Sequence, residues 1–154
     1  MKKIPPIAAT DLYLNDVEIA WLAGLFEGEG TFGIDERSVT RYESSTSPAV
    51  PIFSISMTDE DVIAKVARML RKDYFSPKRK TVTEKQVYTV STQSRPILTY
   101  LLPLVLPHLG KRRAAEVEKQ IDLLDKHKIW YEEGGRSTQA KRGYKAGLGV
   151  NKKV

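Results

Sequence analysis

The chain has no cysteine, which excludes disulfide staples and thiolate zinc sites, and its two histidines, His108 and His127, are too few for a histidine-based metal centre. Any metal must therefore sit on oxygen. Long hydrophobic runs are missing as well: Ile97 to Leu106 is interrupted by Pro103 and falls short of the ~20 residues needed to span a bilayer. The start, Met1-Lys2-Lys3-Ile4-Pro5-Pro6, lacks the apolar stretch of a signal peptide. These absences predict a protein inside a cell with no membrane partner. Asparagine occurs only at positions 15 and 151, a lean toward compositions poor in thermolabile residues, as in a thermophilic archaeon.

Acid is absent from the last 21 residues, which carry six lysines and arginines. The remainder is strongly sorted by charge: residues 1–61 sum to −7, residues 62–113 to +10 and residues 114–133 to −3, so the body is neutral and the net +6 equals that of the tail. A basic middle on a neutral body predicts one cationic face suited to a polyanion, with nucleic acid the leading candidate. With 154 residues and 41% apolar content, one domain over 1–133 can bury a real core, and the Gly- and Lys-rich tail, 134–154, is expected to be flexible.

Residues 22–30, Leu-Ala-Gly-Leu-Phe-Glu-Gly-Glu-Gly, put small residues inside an apolar helix and two carboxylates at its end. Gly24 costs the helix roughly 1 kcal/mol against alanine unless another backbone packs on it. Glu27 and Glu29 face the negative pole of the macrodipole, at about 0.3–1 kcal/mol each, a penalty that a bound cation reverses. Asn15 with Glu18 forms a capping box, so the helix should run from there to about Glu27 with Gly28 as its C-cap.

Alternation predicts a strand over Thr31–Ser38 and another over Ile52–Met57, the latter with Phe53, Ile55 and Met57 inward. Thr58 with Asp61 offers a cap for a helix striped by Val62, Val66, Met69 and Leu70 and ending near Asp73. A second strand pair is expected at Tyr74–Lys80 and Gln86–Thr92. Helical pattern resumes at Ile97, breaks at Pro103 and Pro107, and returns from Lys111 to about Lys128 with Ala114, Val117, Ile121 and Leu124 aligned.

The nonapeptide resembles the LAGLIDADG motif of homing endonucleases: Leu22, Ala23, Gly24, Leu25 and Gly30 are identical, and Glu27 and Glu29 replace aspartates. The resemblance, over residues ~15–128, implies an α+β fold with an αββαββα core, an antiparallel β-sheet saddle and an additional C-terminal helix. A single motif copy implies a homodimer whose two motif helices meet through Ala20, Gly24 and Gly28. The family's eighth-position acid is Glu29, which would hold Mg²⁺ with the Gly28 carbonyl, Mn²⁺ or Ca²⁺ being able to substitute for binding. Lys111 best matches the family's lysine near the scissile phosphate, and Met57 stands where a glutamine often ends the second strand. Glu27 is expected to face the helix end or solvent.

Placed on such a saddle, the outward side chains Asp35, Arg37, Ser54, Ser56, Lys78, Lys80, Lys85 and Thr89, with Arg41 and Tyr42 on the loop, would meet double-stranded DNA in the major groove. Arg112 and Arg113 read most simply as phosphate binders. The implied activity is a double-strand break in a long pseudo-palindromic site by metal-dependent phosphodiester hydrolysis, leaving short 3′ overhangs, in a prokaryotic cytoplasm or an organelle. Two alternatives share the fold: a maturase that binds intron RNA, and a DNA-binding regulator without the metal site.

Overall fold

The computed structural model describes residues 12–40, 46–78 and 82–135. Arg41, Tyr42, Lys80 and all but the first two residues of the tail lie outside them. In chain order come α1 (Asp16–Glu29), β1 (Gly30–Asp35), the single turn α2 (Arg37–Thr40), β2 (Val50–Met57), α3 (Glu60–Leu70), β3 (Tyr88–Thr92), α4 (Arg95–Val105), a 3-10 turn (Leu106–His108) and α5 (Lys111–Glu132). Helices and a three-stranded antiparallel sheet of order β1-β2-β3 make this an α+β fold.

Two compact units divide the chain. One takes the described residues up to Gly33 together with Ile52–Ile121, the other Ile34–Pro51 with the described residues from Asp122 on. In the first unit, β2 pairs with β3 from Phe53↔Thr92 to Met57↔Tyr88. The inner side of this ladder buries Phe53, Ile55, Val90 and Thr92, while α3 packs on β3. Phe26 at the end of α1 meets Phe53 at 4.4 Å between ring centroids, and Phe32 joins them at 5.3 Å from Phe53. Gly30 permits this closeness: a Cβ there would stand 2.9 Å from the Phe26 carbonyl and 3.2 Å from the Phe53 ring.

Among the described residues, the expected fourth strand meets β3 through the bridge Phe75↔Thr89. Phe75 and Thr89 exchange both backbone hydrogen bonds, at 3.0 and 2.8 Å, and no strand forms around Phe75 among the described residues. Pro77, two residues on, has no amide to continue the ladder. Because Thr89 spends its amide and carbonyl on Phe75, it forms a non-hydrogen-bonded pair with Ser56, and the backbone groups of Ile52, Ser54 and Ser56 face β1. At that seam Gln120 of α5, fully buried, donates from Nε2 to both the Gly33 carbonyl (2.7 Å) and the Ile52 carbonyl (2.9 Å). One side-chain amide thus satisfies two strand carbonyls.

Helix ends follow local chemistry, with three departures from periodicity. The Asn15–Glu18 capping box forms in both directions, but α1 runs through Gly28 to Glu29 and ends at Gly30, whose amide bonds Phe26 O. Residue Asp59, not Thr58, precedes α3, makes no side-chain cap, and the buried stripe is Ile63, Val66, Ala67 and Leu70; the helix ends at Arg71 in the left-handed region (φ 54°). Pro103 lies inside α4 rather than breaking it, because Ser94 caps the start and buried Leu98, Leu101, Leu102 and Val105 hold the turns together. Hydrophobic burial here outweighs one lost backbone bond.

In the second unit Asp35 accepts from the Arg37 amide at 3.0 Å and starts α2, and Leu124 and His127 of α5 are buried. His127 Nε2 meets the Ala49 carbonyl at 3.0 Å and Trp130 donates to Thr46 Oγ1 at 2.9 Å.

Candidate functional site

The two motif acids have different fates. Glu27 accepts a hydrogen bond from the Gly110 amide at 2.5 Å, immediately before α5, and its backbone carbonyl accepts from Arg113 Nε at 3.2 Å. Its carboxylate therefore lies at the positive pole of α5, which offsets its position at the negative pole of α1. Of the two expected surroundings, helix end or solvent, Glu27 takes a helix end, that of α5. Glu29 is exposed, and among the described residues no hydrogen bond or ion pair engages its carboxylate. It is left at the negative helix end without compensation.

A mirror-image misfit adjoins it. Lys111, exposed, opens α5, and three consecutive cations, Lys111, Arg112 and Arg113, crowd the positive pole of that helix. Each costs about 0.3–1 kcal/mol there. Since Glu29 is two residues from Glu27 and Lys111 is next to Gly110, the Glu27–Gly110 bond brings the misplaced acid and the misplaced base to one locality. An anion carrying its own cations would relieve both.

Arg113 is not free for phosphate: only 12% of its side chain is exposed, and it bridges the Glu27 carbonyl and, at 3.6 Å, Glu116. Arg112 is 73% exposed, with a 3.3 Å contact to the same carboxylate. The Gly28 carbonyl is one of the last four of α1, the set a helix leaves without intrahelical partners. Among the described residues no group of three or more acids and histidines could close around a metal, so one chain offers an exposed carboxylate and a carbonyl rather than a full shell. Hard oxygen donors of this kind fit Mg²⁺, which accepts few protein ligands and completes its octahedron with water and phosphate.

Of the expected base readers, Ser54 and Ser56 lie on the outer side of the sheet. Thr89 shares that side but is buried, its hydroxyl 2.7 Å from Ser56 Oγ, because the Phe75 bridge closes over its strand. Lys78 and Lys85 are exposed in the segment between Phe75 and β3. In the second unit Asp35 and Arg37, both expected to face the duplex, form a two-pronged ion pair (2.6 Å at the shortest), and that hydrogen bond and charge raise the pKa of the Arg37 guanidinium further. Met57, at the inner edge of the ladder opposite Tyr88, is half-buried.

Lys65 and Arg68 project from α3 on the side away from the sheet, Lys65 4.0 Å above the Trp21 ring, and with Arg71, Tyr13 and Met69 they border a cavity of about 460 Å³. Sequence reading missed Phe75 and Gln120.

Along α1 a second surface is open. Ala20, Gly24 and Gly28 are exposed on one stripe, Val17 extends it at 78% exposure, and a Cβ built on Gly24 or Gly28 meets nothing within 4 Å. Packing among the described residues therefore does not explain Gly24.

No protein-family model and no curated protein matches the sequence. Solved structures do match. The homing endonuclease I-TnaI is 20% identical over 80% of this chain and 77% of its own (TM-score 0.51). The group I intron-encoded homing endonuclease I-CeuI, complexed with DNA, is 13% identical over 87% and 64% (0.57). The LAGLIDADG meganuclease I-CpaMI, bound to uncleaved DNA, is 17% identical over 92% of this chain but 48% of its own (0.57). The chain has the LAGLIDADG homing endonuclease fold, with αββαβα order and a C-terminal helix. No described helix is long and apolar enough to cross a membrane.

Proposed function

We propose that this protein is a homodimeric, Mg²⁺-dependent endonuclease that cuts both strands of a long pseudo-palindromic DNA site. The observation that carries the reading is the contrast between the motif acids: Glu27 is consumed by the Gly110 amide, whereas Glu29 is exposed with no partner among the described residues. The open glycine stripe supports two-fold pairing of α1, and the match to only 48% of I-CpaMI supports a second copy completing the site. Pairing would bring two Glu29 carboxylates near the dyad, where mutual repulsion favours shared cations.

In this reading bound Mg²⁺ supplies charge stabilisation to the attacking and leaving oxygens of an in-line displacement. Glu29 and the Gly28 carbonyl hold it. Glu27 fixes the start of α5 against the end of α1, and Lys111 presents its ammonium to the phosphate, where it orients the water nucleophile or offsets developing charge. Ser54 and Ser56 face the duplex from the outer side of the sheet.

The test is selection of cleaved duplexes from a random library with Mg²⁺, followed by Glu29→Gln on the selected site. Cutting should fall about 10²–10³-fold, the scale for removing one group that stabilises transition-state charge, while duplex affinity persists. Unchanged cutting by the variant removes Glu29 from the chemistry.

A further inference from the structure

The outer side of the sheet carries a large apolar side chain, Phe75. Phe75 is directly opposite Thr89, each donating to the other's carbonyl, and side chains of a directly opposed antiparallel pair share a side. Thr89 stands opposite Ser56 in the same way, so Phe75, Thr89 and Ser56 form a row across the sheet, away from buried Phe53, Ile55 and Val90. The Ser56 and Thr89 hydroxyls are spent on each other at 2.7 Å. Phe75 is 54% exposed and has no part in the Phe26–Phe32–Phe53 cluster.

This row is therefore apolar where it is most accessible and poor in free hydrogen-bonding capacity. On the major-groove edge of a duplex, the apolar feature is the C5-methyl group of thymine. We infer that Phe75 is a specificity-determining residue that packs against a thymine methyl in the major groove of the target. The inference rests on the proposal above that the sheet's outer side meets duplex DNA.

The probe is a DNA-side substitution that leaves the protein untouched. A random duplex library is selected for binding to the full chain, and each thymine of the enriched sequence is replaced in turn by uracil, which differs only in lacking the methyl. Burying one methyl predicts about fourfold weaker binding at the position Phe75 covers. With Phe75→Ala, the thymine-to-uracil ratio at that position should collapse to about one, while ratios elsewhere persist. Replacing a cytosine introduced at that position by 5-methylcytosine should restore part of the wild-type affinity.

A sequence that is enriched but shows no uracil-sensitive position, or a Phe75→Ala variant that keeps the wild-type ratio, overturns this inference alone. Failure to enrich any sequence overturns the nuclease reading and this inference with it.

Discussion

The Glu27 carboxylate and the Gly110 amide, 83 residues apart in sequence, meet at 2.5 Å and join the C-terminal end of α1 to the N-terminal end of α5. Opposite helix poles are thereby linked through one side chain. The motif's first acid is a structural cap in this chain, which leaves its second acid as the carboxylate without a partner among the described residues.

Glu27→Ala should destabilise the fold by about 1–2 kcal/mol, combining a lost cap with a lost charge–dipole interaction. Glu27→Gln retains a carbonyl acceptor for Gly110 and should lose only about 0.3–1 kcal/mol. Urea denaturation measures both. If Glu27 positions Lys111, the alanine variant should also lower the cleavage rate more than its affinity for duplex DNA, and the glutamine variant should recover most of that rate. Equal loss in both variants would show that charge, not positioning, matters there.

Gln120 supplies a second prediction. Leucine at this position fills similar space but leaves the Gly33 and Ile52 carbonyls without their donor, at about 1–3 kcal/mol for each unsatisfied group. Denaturant midpoints should fall accordingly. Gln120→Glu adds a pH signature: burial beside two carbonyls holds the new carboxyl's folded pKa above its unfolded value. The folded state then binds more protons, so stability is greatest at acid pH and declines as pH rises through the folded pKa. A variant whose stability is independent of pH over that range would show that water reaches the site.

How much was readable in advance varies with the range of the interaction. The Asn15–Glu18 box is local, and it formed as its spacing requires. Burial of Phe53 and Ile55 followed from alternation, because a two-residue period assigns sides without knowledge of the partner strand. Gln120 was invisible for the opposite reason: a glutamine among Val117, Ile121 and Leu124 reads as surface until two strand carbonyls, from positions 33 and 52, are seen to converge on it. Phe75 was missed because its side is set by a bridge to Thr89 in a segment where no strand forms among the described residues, so alternation assigns nothing there. Glu29 was legible as an acid in an unfavourable place, and the motif resemblance set it apart from Glu27. What the sequence could not supply is the partner of Glu27, the Gly110 amide 83 residues away.

The open stripe on α1 yields a prediction whose sign discriminates. Gly24 is helical and exposed, and among the described residues a Cβ there meets nothing within 4 Å, so in an isolated chain Gly24→Leu should gain up to about 1 kcal/mol of helix propensity. If α1 pairs with a second copy through this stripe, the same leucine forces the helices apart. Sedimentation should then report a monomer for the variant and a dimer for the native chain. The melting temperature should rise with protein concentration only in the native chain, since dimerisation stabilises by mass action. A Gly24→Leu protein that is more stable, still dimeric and still active would show that the helices do not meet there.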